Sequence, residues 1–87
     1  MYLFDTRSHV DKIFLKLKKK NPAQLEIIYN KIAEIIQNPD RYKNLRKPMQ
    51  HLKAVHIDKH FVLAFSVDYS KKLIIIEDYD RRDNIYK

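Results

Sequence analysis

The chain contains neither glycine nor cysteine. At the usual ~7% glycine, about six would be expected in a chain of this length. Their absence excludes a P-loop, a GxGxxG dinucleotide turn and a KH-type GXXG clamp, because each needs glycine to let backbone approach phosphate. The lack of cysteine removes disulfides, zinc ribbons, Fe–S ligation and thiol nucleophiles together, so the fold must be held by its core or by a partner. Hydroxyls are scarce as well. With only Thr6, Ser8, Ser66 and Ser70 and no paired-Asp spacing, a triad hydrolase is not expected. No window approaches the ~18–20 apolar residues of a membrane span, and Met1 to Val10, which carries Asp5, Arg7 and His9, lacks the apolar stretch of a secretory leader. The expectation is one cytoplasmic domain covering residues 1–87, with no membrane association.

What the chain has in excess is positive charge. It carries 18 Lys and Arg against 11 Asp and Glu, a formal charge of +7. The charge is uneven: residues 1–20 hold six basic residues against two acids and residues 41–60 six against one, whereas residues 21–40 hold one against three. Two basic segments, Lys12–Lys20 and Arg41–Lys59, are thus separated by an acidic, aliphatic one. That pattern implies a positive face and an anionic partner, for which RNA, DNA or an acidic protein segment would serve. A lysine-rich helix face that is merely solvated would give the same counts for Lys18, Lys19 and Lys20.

Periodicity places the elements. Met1–Thr6 reads as a short strand, and Ser8 with Asp11 three residues later reads as a helix cap. Val10, Ile13, Phe14 and Leu17 then form one apolar stripe, with Lys12, Lys16 and Lys19 off it. Asn21-Pro22-Ala23-Gln24 predicts an N-cap, a proline at N1 and the start of a second helix, whose stripe is Leu25, Ile28, Ile32, Ile35 and Ile36 and which Asn38-Pro39 ends. After a basic connection the period changes to that of strands: His51–Ile57, His60–Val67 and Leu73–Asp78, joined by turns of hairpin length at Asp58-Lys59 and Asp68–Lys71 that must form without glycine. Phe61, Leu63, Phe65 and Val67 alternate with smaller or polar neighbours, which predicts one covered face. The expected fold is α+β in the order β-α-α-β-β-β, a four-stranded antiparallel sheet with a helical hairpin on one face and the other face open.

Chemistry-bearing residues concentrate in two places. His51, His56 and His60 fall within ten positions, and imidazole moves protons near neutral pH. Metal binding is the rival use, but strand spacings of five and four point the rings in mixed directions and no acidic ligand has a matching register, so no metal or other cofactor is expected. Three exposed sheet histidines without a role would also fit the pattern. The second concentration is the C-terminus, Glu77 to Lys87, where Arg81 and Arg82 sit between Asp80 and Asp83. This could be an ion-paired tail, yet Arg and Tyr together can grip a phosphate and stack on a base.

The run from His51 to Asp68, the strand Leu73–Asp78 and the closing Asp80-Arg81-Arg82-Asp83-Asn84-Ile85-Tyr86 resemble the RelE/ParE toxin superfamily of type II toxin–antitoxin modules, and within it the YafQ-like branch. The resemblance spans essentially the whole chain. It implies a ribosome-dependent, metal-independent endoribonuclease that cuts mRNA by 2′-hydroxyl attack, with the ribosome, mRNA and a cognate RelB/DinJ-like antitoxin as partners. Position by position, His56 falls on a family histidine at the end of the second strand and His60 on an acidic position. Arg82 falls on the catalytic histidine four residues before a terminal aromatic, here Tyr86. Lys53 matches a basic strand position, and Lys43 lies in the loop where another histidine is expected. The implied catalytic set is therefore His56, His60, Arg82 and Tyr86, and the implied substrate-binding set Lys53, Arg81 and Lys43. Arginine cannot donate a proton at neutral pH, so Arg82 implies a shift toward RelE's Arg/Lys/Tyr style of catalysis or a weakened enzyme. A ParE-like inhibitor of DNA gyrase and a plain nucleic-acid-binding module are the alternatives.

Overall fold

The computed structural model describes residues 1–86; Lys87, the last residue of the expected domain and its C-terminal cluster, lies outside the described residues. The chain runs through β1 (Leu3–Thr6), α1 (Ser8–Lys20), α2 (Pro22–Gln37), a 3₁₀ turn (Pro39–Arg41), β2 (Lys53–Ile57), β3 (Phe61–Asp68), β4 (Leu73–Arg81) and a last helical turn, α3 (Arg82–Ile85). The α+β class and the order β-α-α-β-β-β are as expected. The two short helical turns are additions.

The helical hairpin forms where periodicity placed it. Val10 and Phe14 of α1 and Leu25, Ile28, Ile32 and Ile35 of α2 are buried against the sheet with Ile57, Leu63, Phe65, Ile74, Ile76 and Tyr79. Asn21 caps α2, its side-chain oxygen accepting the Gln24 N–H at 3.2 Å. The start of α1 differs from expectation: the cap position is Arg7, not Ser8, and no side chain caps it. The cause is the sheet. Arg7 N–H still donates to Ile76 O (3.1 Å), so the chain cannot turn until Arg7 is passed, and its carbonyl then accepts from Val10 and Asp11.

The sheet order is β1-β4-β3-β2. β2/β3 and β3/β4 are antiparallel, but β1/β4 is parallel, so the sheet is mixed instead of wholly antiparallel. The helices explain this. Beyond β1, α1 continues along β4, where Phe14 packs edge-on against Tyr79 at 6.1 Å. α2 then returns, and Tyr2 N–H donates to Ile36 O (3.0 Å) where β1 began. β2 thus starts from the same end as β1, and two tight turns later β4 runs the same way. One irregularity interrupts β3/β4: Ala64 pairs with Asp78 and Phe65 with Ile76, leaving Glu77 as the extra residue of a bulge.

The face away from the helices is not open as the alternation suggested. Val62 is fully buried there with Leu45 and Ile85, and Met49, Leu52 and Ala54 pack around them. The reason is compositional. Val62 and Ala64 are small but apolar, and the polar connection and C-terminus each carry the apolar residues that cover them.

Candidate nucleic-acid interface

The connection between α2 and β2 is held in place like a partial strand. Asn44 forms an antiparallel bridge to Lys53, Leu45 N–H donates to Leu52 O (2.8 Å) and Ala54 N–H to Lys43 O (3.4 Å). Turns at Arg46–Met49 and Met49–Leu52 close it, with Met49 N–H to Arg46 O at 2.9 Å and Leu52 N–H to Met49 O at 3.0 Å. Between this connection, β2 and α3 lies a groove of about 730 Å³ lined by Arg41, Tyr42, Lys43, Asn44, Leu45, Arg46, Lys47, Met49, Ala54, His56 and Tyr86. Four of these residues are cationic and none is acidic. Its floor, from Leu45, Met49 and Ala54, is apolar. A positive wall over an apolar floor suits a single nucleic-acid strand, whose phosphates meet the cations while a base leaves water.

His56 pairs with Val62 in the β2/β3 register, which turns it to the groove side beside Ala54. Tyr86 reaches it from the other end of the chain. Arg82 N–H donates to His60 O (2.7 Å), tying the start of α3 to the β2–β3 turn, and Ile85 is buried on Leu45 and Val62. At the next residue, the Tyr86 ring stands 6.1 Å from that of His56, inclined by 38°.

Of the residues singled out from the sequence, the structure brings His56, Tyr86 and Lys43 together in the groove. The others stand elsewhere. His60 is exposed in the turn, and Arg82 is exposed at the start of α3, outside the groove lining. Arg81 pairs with Phe61, and its guanidinium lies 5.9 Å from the centre of that ring, on the helix side of the sheet. Lys53 donates to Tyr42 O at 2.9 Å and to Asn44 Oδ1 at 3.1 Å. Sequence reasoning missed Arg41, Arg46 and Lys47 individually. Their one signal was the basic composition of the connection, which has no period to say where each side chain points.

A second polar group lies at the bulge, outside the groove. Arg7 holds the Glu77 carboxylate through two contacts, at 2.8 and 3.3 Å, and Ser66 Oγ donates to it at 2.6 Å. The Arg7 guanidinium, with Ser66, holds the Glu77 carboxyl below the ordinary range against the opposing effect of its partial burial. His9 Nε2 and Asp78 Oδ1 are 3.4 Å apart nearby. Among the described residues no group of three or more His, Asp or Glu side chains is placed to share a metal ion.

No family model matches the chain. An uncharacterized protein of Methanosarcina mazei is 58% identical over 86 residues, covering 99% of this chain and all of its own length. A protein of Methanocaldococcus jannaschii named "Putative toxin RelE4" is 49% identical over 87 residues, covering 100% of this chain and 93% of its own. The chain belongs to the RelE toxin superfamily. Solved structures share the fold of this RelE-type chain at much lower identity. The toxin–antitoxin complex RelBE2 of Mycobacterium tuberculosis aligns with a TM-score of 0.77 at 18% identity, over 93% of this chain and 98% of that one. YafQ of Escherichia coli aligns with a TM-score of 0.72 at 15% identity, over the whole of both chains.

Proposed function

We propose that this RelE-type toxin is a ribosome-dependent, metal-independent endoribonuclease that cuts mRNA and so arrests translation in the cytoplasm. The observation that carries the reading is the placing of His56 and Tyr86 at one end of a groove whose wall is Arg41, Lys43, Arg46 and Lys47. In the reaction, the 2′-oxygen of the nucleotide before the cut attacks the adjacent phosphorus and the bond to the 5′-oxygen breaks, leaving a 2′,3′-cyclic phosphate and a free 5′-hydroxyl. One proton leaves the 2′-hydroxyl and one reaches the departing 5′-oxygen. His56 is the group suited to move a proton near neutral pH. Tyr86 stacks on a base and holds the strand against the imidazole. The groove cations neutralise the flanking phosphates and the charge that grows on the reacting one. Arg82 and His60, joined through their backbones near Tyr86 and exposed outside the groove lining, serve in this reading to hold a flanking phosphate. Arg81, whose guanidinium lies over Phe61 on the other side of the sheet, contributes in this reading through its charge alone.

The basic groove also suits an acidic, extended antitoxin segment of RelB/DinJ type, which would silence the toxin by occupying it. The Mycobacterium tuberculosis neighbour was solved as a toxin–antitoxin complex, which supports an antitoxin partner. No helix among the described residues is long and apolar enough to cross a bilayer.

The test is to map mRNA 5′ ends after induction, and in a reconstituted ribosome assay. Codon-phased cuts are expected, and His56→Ala should slow cleavage by roughly 10²–10⁴-fold, the usual contribution of a general acid or base. DNA damage with intact messages would instead mark a gyrase inhibitor and overturn the reading. So would salt-dependent duplex binding without toxicity.

A further inference from the structure

The residue matched to a substrate-binding position, Lys53, has two of its three ammonium donors engaged by the protein itself. Its ammonium sits on the Tyr42 carbonyl (2.9 Å) and on Asn44 Oδ1 (3.1 Å). Asn44 is committed in turn, its amide donating to Gln50 O at 2.8 Å. Lys53 does not line the groove, but Tyr42, Lys43 and Asn44 do. We infer that Lys53 is a positioning residue: it clamps the basic connection to β2 and so presets the cations of the groove wall, without touching the RNA. The inference rests on the reading of the groove as the RNA site.

The physical case is that Lys43 and Asn44 have few other ties to β2. Tyr42 before them packs on the helix-side core and Leu45 after them is buried in the small one, but between these anchors the backbone bond that joins the connection to the strand, from Ala54 N–H to Lys43 O, is long at 3.4 Å. A bond from an ammonium to a neutral acceptor is stronger than one between neutral groups. The clamp also leaves the charge intact. Both acceptors are neutral oxygens, so Lys53 still adds to the positive potential under the wall while its geometry serves the loop. Without it, Lys43 and its neighbours would have to be ordered by the incoming strand, at the cost of affinity.

The test uses Lys53→Met, Asn44→Ala and the double variant in the full chain. In the free protein, Lys53→Met should speed amide hydrogen exchange at Leu45 and Ala54 by about ten-fold while amides of the β3/β4 ladder keep their rates. In the ribosome assay it should raise KM about ten-fold with kcat within about two-fold. The double variant should lose less than the sum of the two single effects, because both substitutions break the same Lys53–Asn44 bond. A fall in kcat at unchanged KM would overturn the proposal, since Lys53 would then act on the reacting phosphate. Unchanged exchange at Leu45 and Ala54 would overturn it as well. So would a salt dependence of binding to an eight-nucleotide 2′-O-methyl RNA that drops by about 0.7 per log unit with exchange unchanged, the mark of one direct phosphate contact. If the parent cuts no message, the functional reading fails, while the exchange measurement still decides whether the clamp exists.

Discussion

Glu77 occupies the bulge between β3 and β4, and its carboxylate draws on three elements at once: Arg7 at the β1/α1 junction, Ser66 of β3 and its own strand. Because the Arg7 guanidinium lowers its pKa in the folded protein, its contribution to stability is fully present above the ordinary glutamate value near ~4.3 and is lost as pH falls through the lower folded value. Glu77→Gln should therefore lower the unfolding temperature at pH 7, and the gap from the parent should close toward pH 3. Thermal melts across that range check it; a gap that stays constant would mean that the charge contributes nothing. The effect will be modest, since Arg7 is exposed and solvent screens the pair. None of this was legible beforehand, because the phase break that the bulge puts between Ile76 and Tyr79 falls on two acidic residues, Glu77 and Asp78, where no apolar alternation shows it. Gln24 was hidden for a similar reason. It reads as the third residue of a helix, yet it is buried at the border of the apolar stripe, where its amide donates to the Tyr79 hydroxyl at 2.6 Å.

Among the elements, the turns show how the chain manages without glycine. Among the described residues two take the left-handed conformation, Asp58 at φ 58° before β3 and Lys72 at φ 51° before β4. Aspartate tolerates that region through its short polar side chain, here accepting Lys59 N–H at 2.8 Å, but lysine has no such compensation. Lys72→Gly should accordingly stabilise the protein by about 1 kcal/mol in denaturant unfolding, the relief of the left-handed penalty less the extra freedom gained by the unfolded chain. A loss of stability would show that the Lys72 side chain matters more than its backbone. The hairpins themselves were legible, since short polar joints between alternating runs leave few other folds. The direction of β1 was not. Its sequence fits either orientation beside β4, and the parallel pairing follows from α1 continuing along the sheet, a matter of how helices pack and not of any residue in β1.

Taken whole, the molecule has two unequal cores on the two faces of one sheet, and they divide the labour. The larger, under the helices, was readable from two helical stripes and one strand alternation, because each signal recurs over several turns. The smaller is assembled from single apolar residues in the connection, β3 and the last turn. No periodic signal announces such a cluster, and that is why the candidate site was only half legible: His56 could be placed from its strand, but not the loop cations that face it. The division makes a prediction. Ile28 and Ile85 are both buried, and either Ile→Ala change should cost about 2–5 kcal/mol where the site cannot collapse, with Ile85 toward the lower end because it sits at the edge. The consequences for the groove should differ. Ile28→Ala removes contacts under the helices and should lower the unfolding temperature while leaving cleavage by the folded fraction near that of the parent. Ile85→Ala releases the turn that carries Tyr86 to His56 and loosens Leu45, so cleavage should fall by more than the lost stability explains, even at a temperature where the variant is fully folded. Unfolding curves paired with single-turnover cleavage rates measure both. If the two variants lost activity only in proportion to the folded fraction, the small core would be a support for the sheet alone, and Tyr86 would owe its place beside His56 to the backbone bond between Arg82 and His60.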